Sequence, residues 1–493
     1  MKNQREGILV ESPEERLSEK QLKLIDDTSR KLLQEPGLLC YNPDVTELFK
    51  NAGADVEEAG EASRVRLSPK LVEKSIQNAP STVTLGARNP DNRLILDARE
   101  PRVRFVSGSE TNVWLEVDFD GDGNPKFNKK PGSIERLRNA AHLADNLENL
   151  DSFIRCVNIR DESVTTENKD VNKLLASLNN ITKHVQAGLT SLDSLDDVLD
   201  MANIIAGGEK AFEENPLISF ITCVIKSPLQ VVEDTAEKLM AIAKRRVPVV
   251  ISSSPMAGTT APFDEFGMVA QINAEILAGI TITQLVSPET PVLYGSVPVR
   301  SRLDTLEDMY GAPEFNHYNI DCAQMARYYG VPSYSTANVG DNDRPGIQTT
   351  AEKMLTLMSV PRCGAQYVHY AFGLLERTNI FCPEQAILDD AHIGMIKYAL
   401  KDPVVNETEQ GKVLDMVREV METGHKTYMY HLPMPTKEDI YVCYPLENEE
   451  GGALMGAHEK YKEILQCPRN PLPEDMQEDI RKNVPGVLEE TLQ

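Results

Sequence analysis

The stretch from Ser287 to Glu376 alternates short apolar segments with helical patterns and gathers many of the aromatic side chains. It opens with Ser287-Pro288-Glu289-Thr290-Pro291 and closes on Tyr367-Val368-His369-Tyr370-Ala371-Phe372-Gly373-Leu374-Leu375-Glu376. Between these ends a polar loop reads Gly340-Asp341-Asn342-Asp343-Arg344-Pro345-Gly346. Aromatic residues make up only 6% of the whole chain, so their concentration here predicts that several loops converge on the wall of a small-molecule site.

Short, nearly continuous apolar segments recur on both sides of this stretch and are separated by helical patterns. The eight candidate strands are Phe153–Val157, Val185–Leu189, Leu217–Cys223, Val247–Ser252, Ile280–Leu285, Val292–Tyr294, Ser333–Thr336 and Gln366–Tyr370. Strands that are apolar on both faces indicate a parallel sheet covered by helices. Eight such units in about 240 residues are the repeat count of a TIM-type barrel, so the sequence predicts an α/β fold with a (βα)8 barrel. An open doubly wound sheet would normally show a Gly-rich phosphate loop after its first strand, and none is present.

The remaining segments predict two further parts around the barrel. Residues 1–130 combine short helices and strands and are interpreted as an N-terminal α/β cap. Residues 131–432 hold the barrel and its covering helices, the last two near 384–400 and 407–423. Residues 433–493, which begin with a Pro-rich, charged segment, are expected to form a C-terminal extension on the surface.

Charge and cysteine usage exclude several classes of protein. The net charge of −25 argues against nucleic acid as a partner, because phosphates would be repelled, whereas a small cationic substrate would be mildly attracted. Eight cysteines are spread along the chain without a CxxC pair, which fits reduced thiols in a cytosol. No run of about 18 apolar residues and no signal peptide is present, so we expect a cytoplasmic protein that does not bind a membrane. We also expect a homo-oligomer.

Aromatic candidates for the site lie near the ends of the last predicted strands, because barrel active sites form where strands end. A cage of aromatic faces attracts a quaternary ammonium ion through the ring quadrupole. Packing in the core is the alternative for each of these rings. The candidates are Tyr294, Tyr334, Tyr370 and Phe372.

Two carboxylates and one histidine complete the predicted site. Glu289 and His369 are expected to orient the substrate, and His369 could equally be a core histidine whose hydrogen bonds are satisfied. Glu110, which follows Ser107-Gly108-Ser109, is expected to close the barrel mouth from the cap and to face the cation. A buried carboxylate near a fixed cation is favourable, whereas an unpaired one is costly.

Metal and nucleophile motifs are not expected here. The histidines and cysteines near the stretch have irregular spacings, and no two of them lie three or four residues apart on one helix, so the sequence predicts no metal site. No Gly-x-Ser-x-Gly, Walker or HExxH motif occurs, which removes the commonest hydrolase, nucleotide-binding and zinc-protease interpretations.

A set of short motifs, in this order along the chain, carries a resemblance to a known family. They are Asn51-Ala52-Gly53-Ala54-Asp55 with Ala79-Pro80, Gly311-Ala312-Pro313-Glu314, Tyr328-Tyr329-Gly330-Val331-Pro332, and Gly373-Leu374-Leu375-Glu376 with Leu388-Asp389-Asp390. The chain resembles the trimethylamine methyltransferase family, barrel proteins that hand a methyl group from an amine to the cobalt of a corrinoid protein. The resemblance implies that the corrinoid (cobalamin) is carried by a cognate partner protein and that none is tightly bound by this chain.

The polar loop departs from that family's pattern. Members that act on trimethylamine carry pyrrolysine in this loop, whereas Asp341-Asn342-Asp343-Arg344-Pro345 contains only standard residues, with Arg344 or a close neighbour at the matching place. The resemblance therefore implies the non-pyrrolysine branch, which demethylates quaternary amines such as glycine betaine, proline betaine or carnitine in methanogenic or acetogenic one-carbon metabolism. Arg344 would then bind a substrate carboxylate as a bidentate fork, or it would form a loop salt bridge with Asp341 or Asp343.

Two other functions remain open at this point. One is a barrel that binds a quaternary amine without catalysis, and it predicts binding without methyl transfer. The other is a barrel lyase or hydrolase, which would require a general base or a metal at the mouth.

Overall fold

The computed structural model describes residues 5–403, 405–422, 444–446 and 451–493. The start of the predicted C-terminal extension, 433–443 and 447–450, lies outside these residues. The strands are β1 Ile8–Leu9, β2 Leu38–Cys40, β3 Asp55–Ala59, β4 Ala62–Arg66, β5 Thr82–Leu85, β6 Leu94–Asp97, β7 Arg102–Phe105, β8 Val113–Phe119, β9 Pro125–Pro131, β10 Phe153–Ile154, β11 Val185–Ala187, β12 Ile218–Thr222, β13 Ile225–Lys226, β14 Gln230–Val231, β15 Val249–Ser253, β16 Met256–Ala257, β17 Val292–Ser296, β18 Val299–Ser301, β19 Asp308–Met309, β20 Ser333–Thr336, β21 Tyr367–His369, β22 Leu374–Leu375 and β23 Ile380–Phe381.

Helices alternate with these strands and follow them to the end of the chain. They are α1 Glu19–Gln34, α2 Pro43–Asn51, α3 Pro69–Asn78, α4 Ile134–Asn146, α5 Lys169–Leu178, α6 Leu195–Ala206, α7 Glu209–Glu214, α8 Glu233–Lys244, α9 Glu265–Val286, α10 Pro313–Tyr329, α11 Ile347–Ser359, α12 Pro383–Ala399, α13 Glu407–Glu422, α14 Gly452–Gln466 and α15 Glu474–Asn483. Several begin at the caps that their sequences predict. Ser68 accepts a hydrogen bond from the Leu71 amide before α3, and Ser133 caps α4 in the same way.

A curled nine-stranded sheet organises this mixed α/β fold. Its order is β1-β7-β21-β20-β17-β15-β12-β11-β10, and every pair in it is parallel except β1 with β7. Val106, which follows β7, and Ser152, which precedes β10, form an isolated parallel bridge. The Asp151 amide also donates to the Phe105 carbonyl at 2.7 Å, and the Asp151 carboxylate accepts from the Phe105 amide at 2.8 Å. The sheet therefore curls far enough for β7 to approach the start of β10.

Seven of the eight predicted strand segments contain a strand of this sheet, and one prediction is wrong. Ile280–Leu285 belongs to α9, which is buried along most of its length. Helices α1, α3, α8 and α10 all pack on α9, so no polar stripe marks it as a helix in the sequence. The eighth parallel strand is β7, which lies within the predicted cap 1–130. The division into cap, barrel and extension stays a prediction.

The sheet encloses an apolar interior that is separate from the layer between the sheet and the helices. Val250, Leu293, Tyr334 and Tyr367 belong to this inner cluster, together with side chains of the β5–β6 hairpin. The hairpin lies at the end where the strands begin, because the Gly86 amide donates to the carbonyl of Pro216, just before β12, at 2.8 Å. The opposite end, where the strands finish, is the one left for a ligand.

Among the described residues, α9 is the one helix long and apolar enough to cross a membrane. Most of it, 89% of the apolar window, is buried inside the protein. Its apolar surface is therefore accounted for by packing in the core.

Candidate functional site

Three rings stand in contact at the carboxyl ends of two neighbouring strands. In the β20–β21 register Tyr334 pairs with Tyr367 and Thr336 pairs with His369. The ring centroids of Tyr334 and His369 are 3.9 Å apart with the planes at 24°, and those of His369 and Tyr370 are also 3.9 Å apart. We call Tyr334, His369 and Tyr370 the aromatic wall.

The position of Tyr370 depends on a glycine in the neighbouring strand-end loop. A Cβ atom at Gly108 would come within 2.6 Å of the Tyr370 ring, so the ring lies directly on the backbone there. Tyr370 itself has φ +67°, a left-handed conformation that is uncommon for a bulky residue. Its backbone amide donates to the Ser107 carbonyl, also in the segment after β7, at 3.3 Å. The loop after β7 thus fixes the outermost ring of the aromatic wall.

The aromatic wall carries no charge at neutral pH. His369 is fully buried, and its Nδ1–H donates to the Ser335 carbonyl at 2.8 Å. Burial lowers the pKa of His369 to about 3, and burial raises the pKa values of Tyr334 and Tyr370. Of the three rings only Tyr370 is open to solvent, and the imidazole that it contacts is neutral, so no imidazolium repels a cation that binds there.

The buried imidazole predicts a pH dependence of stability. Because the folded pKa of His369, about 3, lies below the unfolded value, its contribution is complete above about pH 6.5 and is lost as the pH falls toward the folded pKa. Between pH 7 and pH 5 the wild type should lose about 2 kcal/mol more unfolding free energy than His369→Phe. Urea denaturation at the two pH values measures this difference, and an equal loss in both proteins would contradict it.

Solvent reaches Cys223 and Tyr370, which lie near each other, and we call the space beside these two side chains the recess. The Cys223 side chain, just after β12, is exposed, yet burial is the main cause that raises the pKa of its thiol. Tyr370 is half-buried and shows the same combination. The predicted strand Leu217–Cys223 places Cys223 among the residues around the mouth, but no role in the site was predicted for it.

Glu110, two residues after Gly108, is held ionised by the cations near it. Water reaches 37% of its side chain, and Arg155, which is almost fully buried, pairs with its carboxylate. Lys169 lies 3.7 Å from the other carboxylate oxygen. Burial alone would raise the pKa of Glu110, but the charges of Arg155, Lys173 and Lys169 outweigh it and lower the pKa to about 2. A fixed negative charge therefore lies two residues from Gly108, the glycine that supports the Tyr370 ring.

Comparison with known proteins agrees with this chemistry. The sequence matches the trimethylamine methyltransferase (MTTB) family over residues 3–432. The chain belongs to this family. A glycine betaine methyltransferase of Desulfitobacterium hafniense (strain Y51) is 29% identical over 91% of this chain and 92% of its own length. The trimethylamine methyltransferase MttB of strain DSM 10664 / DCB-2 is 28% identical over 96% of this chain and 93% of that protein.

A third relative comes from an archaeon, and the agreement again spans nearly the whole chain. The trimethylamine methyltransferase MttB of Methanosarcina thermophila is 28% identical over 94% of this chain and 95% of that protein. The predicted family is thus confirmed, and with it the prediction that the chain is a methyltransferase and so an enzyme.

In this member of the trimethylamine methyltransferase family two predicted cage residues point away from the recess. The Tyr294 hydroxyl donates to Asn273 of α9 at 2.8 Å, and its ring lies 6.4 Å from that of Tyr329, so Tyr294 packs in the helix layer. Phe372 is fully buried against Phe381 and residues of α4. Their predicted place at the mouth is wrong, because they lie on the helix-facing side of the strands and loops.

Two predicted charged residues also lie elsewhere. Glu289 precedes β17 at the amino end of the sheet, is 78% exposed and lies 3.4 Å from Arg246. Its predicted place at the mouth is wrong, since it is at the opposite end of the strand from the aromatic wall. Arg344 is 55% exposed, donates to Asp343 at 2.8 Å and lies over the Phe127 ring at 5.6 Å. For Arg344 the structure contains the salt bridge that was the alternative to a carboxylate fork.

Metal ligands are not gathered anywhere in the described part of the chain. No three His, Cys, Asp or Glu residues there are arranged to hold an ion. The chemical groups near this end of the sheet are the aromatic wall, the thiol of Cys223 and the ion cluster around Glu110.

Proposed function

We propose that this enzyme transfers a methyl group from a quaternary amine to the Co(I) of a cognate corrinoid protein. The observation that carries the proposal is the uncharged aromatic wall, supported by a loop that also carries the ionised Glu110. A quaternary ammonium ion is permanently charged and cannot donate N–H hydrogen bonds, so ring faces and one carboxylate are the groups that suit it. The names of the relatives, a glycine betaine methyltransferase and trimethylamine methyltransferases, support an amine as the methyl donor.

In the proposed reaction no side chain of this protein forms a covalent bond with the substrate. A quaternary nitrogen already carries positive charge, so its methyl group leaves behind a neutral tertiary amine. The partner's Co(I) supplies the nucleophile. Tyr334, His369 and Tyr370 orient the ammonium group and exclude water from it, and Glu110 holds its charge while one methyl group faces the mouth. No general base is required, which agrees with the low pKa of His369, about 3.

We also infer that the curled sheet is a complete (βα)8 barrel. The Val106–Ser152 bridge and the two hydrogen bonds between Phe105 and Asp151 support closure between β7 and β10. The hairpin β5–β6 then fills one end of the barrel, and the aromatic wall faces the other. A closed barrel would give the corrinoid protein a single mouth at which to present its cobalt.

The test supplies the reduced corrinoid protein, which the relatives' chemistry requires, and follows the absorbance of methyl-cobalt. Glycine betaine, proline betaine and carnitine are the substrates. Trimethylamine and dimethylamine are the controls, because their nitrogen becomes uncharged when it loses its proton, whereas a quaternary nitrogen keeps its charge. We expect methyl-cobalt from at least one quaternary amine and none from the controls. Methyl-cobalt from trimethylamine alone would overturn the quaternary assignment. Binding of quaternary amines without any methyl-cobalt would instead indicate a non-catalytic binding barrel, and activity lost to a chelator would favour a lyase or hydrolase.

A further inference from the structure

The first turn of α5 stands in a cluster of charges that is not balanced. The cluster consists of Glu110, Arg155, Lys169, Asp170 and Lys173, and it contains three cations and two carboxylates. One positive charge is left over. The amino terminus of a helix adds partial positive charge from its free N–H groups. The cluster therefore favours a further anion.

Hydrogen-bond donors in the cluster are also left without acceptors. Arg155 has five N–H donors. Its Nη1 donates to the Val157 carbonyl at 3.3 Å and its Nη2 to Glu110, while its buried Nε has no acceptor. The Lys169 amino group, 3.7 Å from Glu110, is beyond hydrogen-bond distance. A buried donor without an acceptor is costly. A hydrogen bond from this cluster to an oxyanion therefore contributes more binding free energy than the same bond on the open surface.

The cluster and the aromatic wall are joined by three consecutive residues. Gly108 lies against the Tyr370 ring, Ser109 follows it, and Glu110 pairs with Arg155. The loop that supports Tyr370 therefore also carries the carboxylate that pairs with the cations at α5.

We infer that the cluster at the start of α5 is an oxyanion subsite that takes the carboxylate of the substrate. The inference rests on the proposed function and names its substrate as a zwitterion, with a carboxylate one or two carbons from the quaternary nitrogen. The negative charge of Glu110 and the positive charges of Lys169 and Arg155 form a dipole. A betaine lies antiparallel to it, with its ammonium group toward Glu110 and the aromatic wall and its carboxylate toward Lys169 and Arg155. In this arrangement Arg344, paired with Asp343, has no part in carboxylate binding.

The test compares two ligands that differ only at the carboxylate. Glycine betaine and choline share the trimethylammonium group, and choline carries a hydroxymethyl group where glycine betaine has its carboxylate. Isothermal titration calorimetry on the full chain, without corrinoid protein, gives the dissociation constant of each. The variants are Lys169→Gln and, as a matched control on the exposed strand β9, Lys126→Gln. We expect Lys169→Gln to weaken glycine betaine about tenfold and to leave choline unchanged, since one charge-assisted hydrogen bond is lost.

The outcomes separate this inference from the proposed function. If Lys169→Gln weakens both ligands alike, or neither, the subsite is overturned while the cation site stands. If the wild type binds neither ligand nor carnitine, the proposed function fails with it. Inorganic phosphate distinguishes a general anion site from a substrate subsite: phosphate that competes with glycine betaine but not with choline supports the subsite. Phosphate binding that both ligands leave undisturbed would assign the cluster to a separate anion and overturn the inference.

Discussion

Replacing Lys353 with Met is expected to lower the free energy of unfolding by about 3–5 kcal/mol, because it leaves a buried carboxylate without its cation. Lys353 on α11 and Asp389 on α12 are both fully buried and 3.0 Å apart. The lysine also donates to the Asn338 carbonyl at 2.8 Å, and the aspartate accepts from the Gly373 amide at 2.7 Å. The pair thus connects the loops that follow β20 and β21. These two strands and the start of the second loop carry the aromatic wall.

Urea denaturation of Lys353→Met, followed by circular dichroism, measures the loss, and a double variant separates its causes. In Lys353→Met/Asp389→Asn no charge is buried, and the amide oxygen still accepts from Gly373. We expect the double variant to recover more than half of the lost stability. A single variant that loses less than about 1 kcal/mol would show that the pair is not a strong tie between the two loops.

Seven parallel strands were predictable because each is apolar toward both the interior and the helices, and such segments are short and bounded by helical patterns. The strand β7 was not recognised as part of the sheet, because its sequence is Arg102-Val103-Arg104-Phe105. Arg104 is nevertheless buried, with its guanidinium donating to the carbonyls of Arg5 and Arg102 at 3.4 Å. A long-range acceptor such as Arg5 has no signal in the local pattern.

The error over Ile280–Leu285 had a consequence for the site. A strand ending at Leu285 would have placed Glu289 in a loop at the carboxyl end of the sheet. Because this segment is helix α9, the loop that follows it leads into β17 at the amino end. Because part of α9 was predicted as a strand, Glu289 was predicted at the wrong end of the sheet.

The facing of the aromatic residues could not be derived from the sequence, because both faces of these strands are buried. Tyr294 and Tyr334 are each at or near a strand end and are equally apolar in their surroundings. Successive residues of a strand point to opposite faces, so Leu293 and Tyr334 enter the interior while Tyr294 enters the helix layer. Only the alignment between strands, here Tyr334 with Tyr367, decides which set faces the ligand.

Replacing Tyr370 with Leu is expected to weaken the binding of glycine betaine about 30-fold, which corresponds to the roughly 2 kcal/mol of a desolvated cation–π contact. Tyr370 is the half-buried member of the aromatic wall, and its ring contacts the backbone of Gly108 on one side and His369 on the other. Tyr370→Phe keeps the aromatic face and loses only the hydroxyl group with its hydrogen-bonding capacity. It should therefore remain within about fivefold of the wild type, since one neutral hydrogen bond contributes about 1 kcal/mol.

The carbon analogue 3,3-dimethylbutanoate shows whether charge or shape is responsible. It has the shape and carboxylate of glycine betaine, but a neutral carbon replaces the nitrogen, so a ring quadrupole gives it no cation–π attraction. Calorimetry should find that Tyr370→Leu and the wild type bind this analogue alike while they differ in glycine betaine affinity. Leu and Phe both place a Cβ atom at the left-handed φ of +67°, so backbone strain is matched between the two variants. Equal weakening of the analogue and of glycine betaine would mean that Tyr370 acts by filling space, and the aromatic wall would then lose its role as the cation site.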